Sequence, residues 1–194
     1  MRRVRVAAIV LAAGTSSRMR DVHKLLVHLD GIPLLRRTVL ETVASRACDV
    51  LVVTGHRERD VRASLGELPV TCVPNANYAA GLSTSLRAGV TALDEDVDGV
   101  LVCLGDMPYV RAGDLDALIV AFESSDGDAV VVPMHGERRG NPVLWPRSLF
   151  PALLALTGDE GARSLLAAHP ARILPVVVDA PGVLVDIDTP EDIV

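Results

Sequence analysis

Short apolar runs alternate with helically spaced apolar positions along almost the whole chain. Strand-length runs rich in valine span residues 4–11, 49–54, 98–104 and 128–133, and weaker runs lie near 70–73, 142–145 and 172–178. Helical spacing is found over residues 33–46, 58–65, 82–93, 112–124, 147–156 and 160–168. This alternation predicts an α/β fold with a doubly wound, mainly parallel sheet flanked by helices. Because no repeat or linker divides the chain, we expect residues 1–194 to form one domain.

The composition supports this fold class and narrows the function. Hydrophobic residues make up 49% of the chain but aromatic residues only 3%, so the core consists of Val, Leu, Ala and Ile, as in parallel sheets covered by helices. The formal net charge of -6 argues against a protein that coats nucleic acid. An acidic chain that binds a polyphosphate needs local positive charge or a divalent metal at the site.

The cysteines indicate a reducing compartment. Cys48, Cys72 and Cys103 are odd in number and form no C-x-x-C pair, which argues against a disulfide or zinc framework. We therefore expect buried, reduced thiols in a cytoplasmic protein. The apolar stretch near the start is broken by Gly14 and Arg18, so neither a signal peptide nor a membrane span is expected.

The segment after the first apolar run is the first candidate site. In open α/β sheets, ligands bind beyond the carboxyl ends of the strands, where the strand order reverses. The small residues Ala12, Ala13 and Gly14 let backbone N–H groups approach an anion, and Arg18 and Lys24 add positive charge. The segment lacks both the Walker A and the dinucleotide-binding glycine patterns. From the residues alone, a phosphate-binding loop and a plain strand-to-helix turn both remain open.

Acidic residues follow two other predicted strands. Asp106 comes directly after the 98–104 run, where it is either a Mg²⁺ ligand or a turn residue of a Gly-Asp-x-Pro sequence. Asp186 and Asp188 alternate and would share a face if that stretch is extended. Glu191 and Asp192 fit the first turn of a helix, which leaves Asp188 as a candidate metal ligand.

Three further segments carry candidate binding groups. Three hydroxyls at 83–85 begin a predicted helix, and capping accounts for one of them but not readily for all three. The 134–147 segment is the most irregular stretch and is a candidate functional loop. Arg163 either belongs to a helix start or points toward a substrate. The five histidines show no spacing typical of a zinc site or a hydrolase.

Together, these segments resemble the nucleotidyltransferases of the molybdenum-cofactor family, within the GT-A-like superfamily of NTP:sugar-phosphate transferases. The matching motifs, in family order, are residues 11–19 with Lys24-Leu25-Leu26, 75–86, Gly105-Asp106-Met107-Pro108, Gly140-Asn141-Pro142, 158–163 and 186–192. The resemblance implies a Rossmann-like, GT-A-like nucleotidyltransferase fold. Leu-Ala-Ala-Gly at the start of the first motif, with Gly-Asn-Pro, resembles the cytidylyltransferase branch, since the methyl group of Ala13 would crowd a purine.

The resemblance implies transfer of CMP from CTP to the terminal phosphate of molybdopterin cofactor, with release of pyrophosphate. It assigns nucleotide binding to Leu11, Ala12, Ala13, Gly14, Thr15, Ser16, Ser17, Arg18, Lys24, Asn75, Gly81, Ser83 and Ser85. It assigns catalysis to Arg18, Lys24 and Asp106, and Mg²⁺ (or Mn²⁺) binding to Asp106 and Asp188, with Asp186 as the second choice. It assigns acceptor binding to Arg138, Arg139 and Asn141. The implied partners are the two substrates and a transient apo-molybdoenzyme, without nucleic acid or membrane.

Two alternatives and two departures accompany this hypothesis. The same loop and metal would serve guanylyl transfer, or nucleotidyl transfer to a sugar or alcohol phosphate, and a non-catalytic carrier of the cofactor is the alternative of another class. Arg20 stands where the family usually has Gly, and His23 stands where a small or amide residue usually precedes the Lys.

Overall fold

The computed structural model describes residues 4–15, 23–159, 161–189 and 192. Its strands are β1 (Val6–Ala12), β2 (His28–Leu29), β3 (Ile32–Pro33), β4 (Val50–Thr54), β5 (Thr71–Pro74), β6 (Gly99–Leu104), β7 (Val130–His135), β8 (Arg138–Arg139), β9 (Val143–Pro146) and β10 (Ile173–Val177). Its α-helices are α1 (Leu34–Ala44), α2 (Glu58–Leu65), α3 (Leu82–Thr91), α4 (Ala112–Ser124), α5 (Phe150–Ala155) and α6 (Arg163–Ala168). Every strand and helix expected between residues 4 and 178 is present, with ends that differ by a few residues, and the helix start expected at residues 191–192 lies largely outside the described residues.

The main sheet has the strand order β10-β7-β9-β6-β1-β4-β5, with β8 paired to β7. The β1–β4, β1–β6, β4–β5 and β7–β10 pairings are parallel. The chain moves outward from β1 through β4 to β5 and then crosses back to β6 on the other side of β1. The strand order therefore reverses between β1 and β6, and a ligand site is expected beyond their carboxyl ends.

Helices cover both faces of this sheet. Successive residues of β1 point to opposite faces and are apolar, so each face needs a packed layer above it. Ala8 and Val10 pack in a core cluster with residues of α1, α2 and α4. Ile9 and Leu11 pack in a second cluster with residues of α3 and α5. All seven residues of β1 are buried, as expected for a central strand with apolar layers on both sides. The doubly wound architecture predicted from the alternation of elements is confirmed.

Strand β9 is antiparallel to both of its neighbours, so the segment before it, and not the segment after it, lies at the edge of the sheet where the site is expected. It pairs antiparallel with both β6 and β7, and Val143, near its start, lies opposite Val102, near the end of β6. The residues that precede β9 therefore lie at the edge where β1 and β6 end. The backbone N–H of Asn141 donates to the carbonyl of Val183 at 2.8 Å, which ties this segment to the chain near the C-terminus.

A small hairpin between β1 and α1 was not predicted. Strands β2 and β3 pair antiparallel around Asp30 and Gly31, both of which have positive φ. An Asp-Gly pair between two-residue extended segments is a hairpin signal, but strands this short leave no apolar alternation to detect. Pro33, the first residue of the 33–46 range with helical spacing, ends β3 and immediately precedes α1.

The expectation of buried thiols holds only for Cys103. Burial raises the pKa of the Cys103 thiol to about 12, whereas Cys72 is partly exposed and Cys48 is exposed. Cys48 lies in the connection before β4, outside the apolar layers, which explains its exposure. All three thiols are unpaired. None of the helices in the described part of the chain is long and apolar enough to cross a membrane.

Candidate active site

Lys24 bridges two carboxylates at the point where the strand order reverses. It begins a short 3-10 turn, Lys24–Leu26, in which the backbone N–H of Leu26 donates to the carbonyl of His23 at 2.9 Å. Its Nζ donates to Asp106 Oδ2 at 2.5 Å and to Asp188 Oδ1 at 2.8 Å. Three segments far apart in sequence, following β1, following β6 and near the C-terminus, therefore meet at one nitrogen atom.

The environment of this bridge keeps Lys24 charged. The Lys24 and Asp106 side chains are each 18% exposed, and Asp188 is 34% exposed. Burial acts to lower the pKa of Lys24, but the charges and hydrogen bonds of Asp106 and Asp188 outweigh it, and the pKa is raised. Lys24 is thus protonated at neutral pH, so it acts as a permanently charged group and not as a base or nucleophile.

The position of Asp188 depends on its neighbours. The buried Ile187 donates its backbone N–H to the carbonyl of Asp106 at 2.9 Å, which fixes the C-terminal segment beside the end of β6. Asp186 is exposed and takes no part in the Lys24 bridge. The carboxylate of Asp192 accepts hydrogen bonds from Asp188 N, Thr189 N and Thr189 Oγ1, the last at 2.9 Å, and the bonds from Thr189 lower its pKa. Asp192 therefore has the structural role expected from the sequence.

The residues at this point fit a divalent cation. Asp106 Oδ1 is buried and has no hydrogen-bond partner among the described residues, although Oδ2 accepts from Lys24. An unpartnered, buried carboxylate oxygen is costly unless a cation or proton satisfies it. The described residues contain no cluster of three or more His, Cys, Asp or Glu side chains arranged for a metal. Two carboxylates suit Mg²⁺, which completes its coordination with water and substrate oxygens.

A cavity of about 350 Å³ opens beside the bridge. The predicted nucleotide-binding residues that line it are Leu11, Ala13, Gly14, Thr15, Lys24, Gly81 and Ser85, and the predicted metal ligand Asp106 also lines it. Gly14 and Thr15 are exposed, whereas Ala12 is buried behind the loop. This cavity, the smaller of two neighbouring cavities, is therefore formed by the loops after β1 and β6 and by the start of α3.

The polar residues near α3 are divided between this cavity and the framework behind it. Asn75 donates to Thr84 Oγ1 at 2.9 Å and to Ser85 Oγ at 3.0 Å, and its Oδ1 accepts from the backbone N–H of Asn77 at 2.9 Å. Asn75 and Ser83 are buried and do not line the cavity, although both are candidate nucleotide ligands from the sequence. Asn75 holds the start of α3 against the loop after β5, whereas the backbone N–H of Ser83 donates to the carbonyl of Gly158.

A second, larger cavity of about 1040 Å³ adjoins the first. Arg139, Asn141 and Arg163 line it, together with apolar residues that include Trp145. Arg138, the third candidate acceptor ligand, is exposed but is not among the lining residues. The two cavities share the wall residues Leu11, Leu82, Leu104 and Asp159, so they lie side by side.

Asp159 lies on the wall between the cavities and was not singled out from the sequence. Its Oδ1 accepts the backbone N–H of Leu82 at 3.1 Å, and the carbonyl of Gly158 accepts the N–H of Ser83 at 3.2 Å. Asp159 lines both cavities and caps α3 from a distant segment. Gly81, with φ +109, allows this approach, since a Cβ there would lie 2.7 Å from Asp159 Oδ1.

His23 replaces the small or amide residue of the family pattern and forms a ring stack. Its ring is buried and stacks on His56 with centroids 5.5 Å apart and planes 14° apart. The ring of Tyr78, which lines the smaller cavity, is tilted against the His56 ring, with centroids 6.0 Å apart. Burial, and then the charges of His56 and Arg57, lower the pKa of His23, so the stacked ring is neutral at neutral pH. The candidate ligands Ser16, Ser17 and Arg18, and the departure at Arg20, lie outside the described residues.

One composition signal for the site was missed. The chain contains 19 lysine and arginine residues, and Lys24 is its only lysine. A residue type that occurs once, just after a candidate anion-binding loop, indicates a position where the two cations are not interchangeable. The ammonium of lysine is a compact charge on a flexible stem, whereas the guanidinium of arginine is a rigid planar group. The close packing of Gly55 against the loop after β1 is not evident from the sequence either, because a lone glycine after a strand carries no distinctive signal.

Gly55→Ala is expected to destabilise the protein and disturb the loop after β1. A Cβ at position 55 would lie 2.7 Å from Ala13 Cβ and 2.8 Å from Tyr78 Cβ. Overpacking of this kind costs about 1–3 kcal/mol, which urea-induced unfolding measures as a lower midpoint. Gly113→Ala is the matched control, since no atom lies within 4 Å of a Cβ there. Equal unfolding midpoints for the two variants would contradict this account of the packing.

The family model for the MobA-like NTP transferase domain matches residues 8–173. The chain belongs to this family. It is therefore a nucleotidyltransferase, and the matched region extends from β1 into β10, through both cavities. The resemblance inferred from the motifs is confirmed.

Two curated relatives are similar to this MobA-like transferase over very different shares of their own length. Molybdenum cofactor cytidylyltransferase from Escherichia coli (strain K12) is 26% identical over 196 residues, covering 97% of this chain and 94% of that protein. Bifunctional protein GlmU from Leifsonia xyli subsp. xyli is 35% identical over 131 residues, covering 66% of this chain. The match spans only 27% of the length of that GlmU protein.

Solved structures share the whole fold of this MobA-like transferase. The homologue of Mycobacterium tuberculosis Rv0371c from Mycobacterium sp. strain JC1 is 28% identical, with a TM-score of 0.85 over 98% of this chain and 94% of that one. Rv0371c from Mycobacterium tuberculosis H37Rv, solved in complex with manganese, is 24% identical with a TM-score of 0.82, covering 97% of this chain and 96% of that one. These likenesses confirm the predicted nucleotidyltransferase fold.

Proposed function

We propose that this MobA-like transferase moves CMP from CTP to the terminal phosphate of molybdopterin cofactor and releases pyrophosphate. The observation that carries the chemistry is the bridge from Lys24 to Asp106 and Asp188, placed beside a cavity at the reversal of strand order. The similarity to a molybdenum cofactor cytidylyltransferase over nearly the full chain supports the choice of substrates. We place this activity in the cytoplasm, in a single domain spanning residues 1–194, with an apo-molybdoenzyme as the recipient.

The smaller cavity is assigned to the nucleotide. Backbone N–H groups of the loop after β1, with Arg18, would hold the triphosphate. Ala13 supports a pyrimidine: it lines the cavity but is only 3% exposed, and its methyl group fills the corner beside Gly55. Removal of that methyl group would deepen the corner, which favours a larger base.

The reaction needs positioning and charge neutralisation. An oxygen of the acceptor phosphate attacks the α-phosphorus of CTP in line, the bond from that phosphorus to the bridging oxygen of the β-phosphate breaks, and pyrophosphate leaves. Lys24 offsets the negative charge that builds at the α-phosphate. Asp106 and Asp188 would hold Mg²⁺, which neutralises phosphate oxygens and makes pyrophosphate a better leaving group. Because the attacking phosphate is already ionised, no general base is required.

The larger cavity is assigned to the acceptor. Arg139 and Asn141 line it and are proposed, with Arg138, to bind the acceptor phosphate. Apolar residues form much of the remaining wall, which suits a flat heterocycle. Trp145 belongs to this wall, and its buried Nε1 has no acceptor among the described residues.

A second candidate acceptor is a sugar or alcohol phosphate. The guanidinium groups of Arg139 and Arg163 at the larger cavity favour it equally, because they bind any phosphate monoester. Nucleotide choice and acceptor choice are separate questions, since they concern different cavities.

Pyrophosphate release tests these assignments. We expect release only when CTP, Mg²⁺ and molybdopterin cofactor are all present, with GTP, UTP and ATP as competing nucleotides and sugar phosphates as competing acceptors. Ala13→Gly is expected to raise the GTP rate relative to the CTP rate. Turnover with sugar phosphates alone would replace the proposed acceptor, and binding of the cofactor without any pyrophosphate release would favour a carrier.

A further inference from the structure

The ammonium of Lys24 occupies the space between the two proposed metal ligands. Its Nζ lies 2.5 Å from Asp106 Oδ2 and 2.8 Å from Asp188 Oδ1. Two carboxylates that share one partly buried cation would repel each other in its absence, at a cost that low local dielectric increases. Lys24 therefore stabilises the acidic pair before a metal binds.

We infer that Lys24 is an internal counterion which competes with the divalent metal for Asp106 and Asp188. The inference rests on the proposed assignment of those two residues as metal ligands. A divalent cation that binds the same oxygens is repelled by the ammonium, so Lys24 must leave the carboxylates as the metal enters. The triphosphate supplies the anionic partner for the displaced ammonium. The metal is consequently held well with the nucleotide and poorly without it.

The type of residue supports a movable charge. Lysine carries a compact cation on a flexible four-carbon stem, whereas arginine binds carboxylates through a rigid, bidentate fork. Every other residue of the Lys/Arg class in this chain is arginine, but the residue that contacts both acids is lysine. Neighbouring groups keep the stem anchored at its base, since Leu25 is buried and the 3-10 turn is closed by the Leu26 to His23 hydrogen bond.

Binding of Mn²⁺ alone tests the competition without any turnover. Electron paramagnetic resonance of unbound Mn²⁺ measures its affinity for the protein in the absence of nucleotide. We expect Lys24→Met and Lys24→Gln to bind Mn²⁺ at least about tenfold more tightly than the unsubstituted protein, because the ammonium that competes with the metal and repels it is removed. Lys24→Arg retains the cation and is expected to bind no more tightly than the unsubstituted protein.

Two controls locate the effect. Arg46→Met removes one positive charge at the opposite, amino-terminal edge of the sheet, where Arg46 pairs with Glu123 at 3.0 Å, and is expected to leave Mn²⁺ affinity unchanged. Adding Asp106→Asn to Lys24→Met is expected to abolish the gain. Circular dichroism establishes that each variant is folded.

The outcomes separate this inference from the proposed function. Equal or weaker Mn²⁺ affinity in both neutral Lys24 variants would overturn the competition, as would a gain that survives Asp106→Asn. Pyrophosphate release by the unsubstituted protein is measured independently. A rise in Mn²⁺ affinity without turnover of any nucleotide would leave the competition standing and remove the proposed function.

Discussion

Lys24→Met is expected to lower the rate of pyrophosphate release by about a thousandfold at saturating substrates. The ammonium that remains protonated beside Asp106 and Asp188 is the charge proposed to stabilise the transition state, and loss of one such positioned cation costs about 10³–10⁵ in turnover in related phosphoryl-transfer sites. Steady-state kinetics measures the loss as a fall in kcat. Since the same variant is expected to bind Mn²⁺ more tightly, metal affinity and turnover should move in opposite directions.

Arg62→Met provides the matched control for charge. Arg62 pairs with Glu58 on the exposed face of α2 at 2.8 Å, and such surface pairs contribute little to stability. We expect its turnover to remain within about twofold of the unsubstituted protein. A loss for Arg62→Met as large as that for Lys24→Met would show that net charge, and not the position of Lys24, sets the rate.

Asp106→Asn is expected to lower metal-dependent turnover by about a thousandfold as well. The substitution keeps the size of the side chain but removes its charge and replaces one carboxylate oxygen with an NH₂ group. It therefore alters the metal-binding chemistry beside the buried Oδ1, which has no hydrogen-bond partner in the part of the chain that the structure describes. Loss of a metal that stabilises developing charge removes several kcal/mol of transition-state stabilisation. Raising the Mn²⁺ or Mg²⁺ concentration in the assay should recover part of the rate, if the defect is in metal binding.

The control for Asp106→Asn is Asp126→Asn. Asp126 lies between α4 and β7, at the opposite edge of the sheet, with φ +55, a conformation that asparagine tolerates. It changes the net charge by the same amount and is expected to leave the metal dependence unaltered. Full metal-dependent activity in Asp106→Asn would exclude Asp106 as the metal ligand.

The fold was predictable because its signals are local. Valine-rich runs such as 98–104 and helical spacing such as that of 112–124 each identify their element, and the alternation of the two determines the doubly wound class. The direction of β9 was not predictable. An apolar run looks the same in a parallel and an antiparallel strand, so its pairing with β6 depends on the tertiary structure.

The site was predictable in its parts but not in its contacts. Lys24, Asp106 and Asp188 were each identified from their place after a strand or in an acidic pair, yet 82 residues separate the first two and no sequence pattern gives the distance between them. Asn75, Ser83 and Ser85 are all buried, yet only Ser85 lines the smaller cavity, and that division likewise depends on the tertiary structure. Asp159 was missed because a helix cap is sought in the residues just before the helix, and this cap comes from 77 residues further along the chain.

Because β9 runs opposite to its neighbours, different loops form the walls of the two cavities. The loop before β9 reaches the larger cavity from one side of the sheet, whereas the loops after β1 and β6 form the smaller cavity. Length changes at residues 136–137, which join β7 and β8 and include Gly136 at φ +59, would remodel only the segment that leads into β9. With the larger cavity as the proposed acceptor site and the smaller one as the proposed nucleotide site, acceptor preference can diverge among proteins of this architecture while nucleotide binding stays constant.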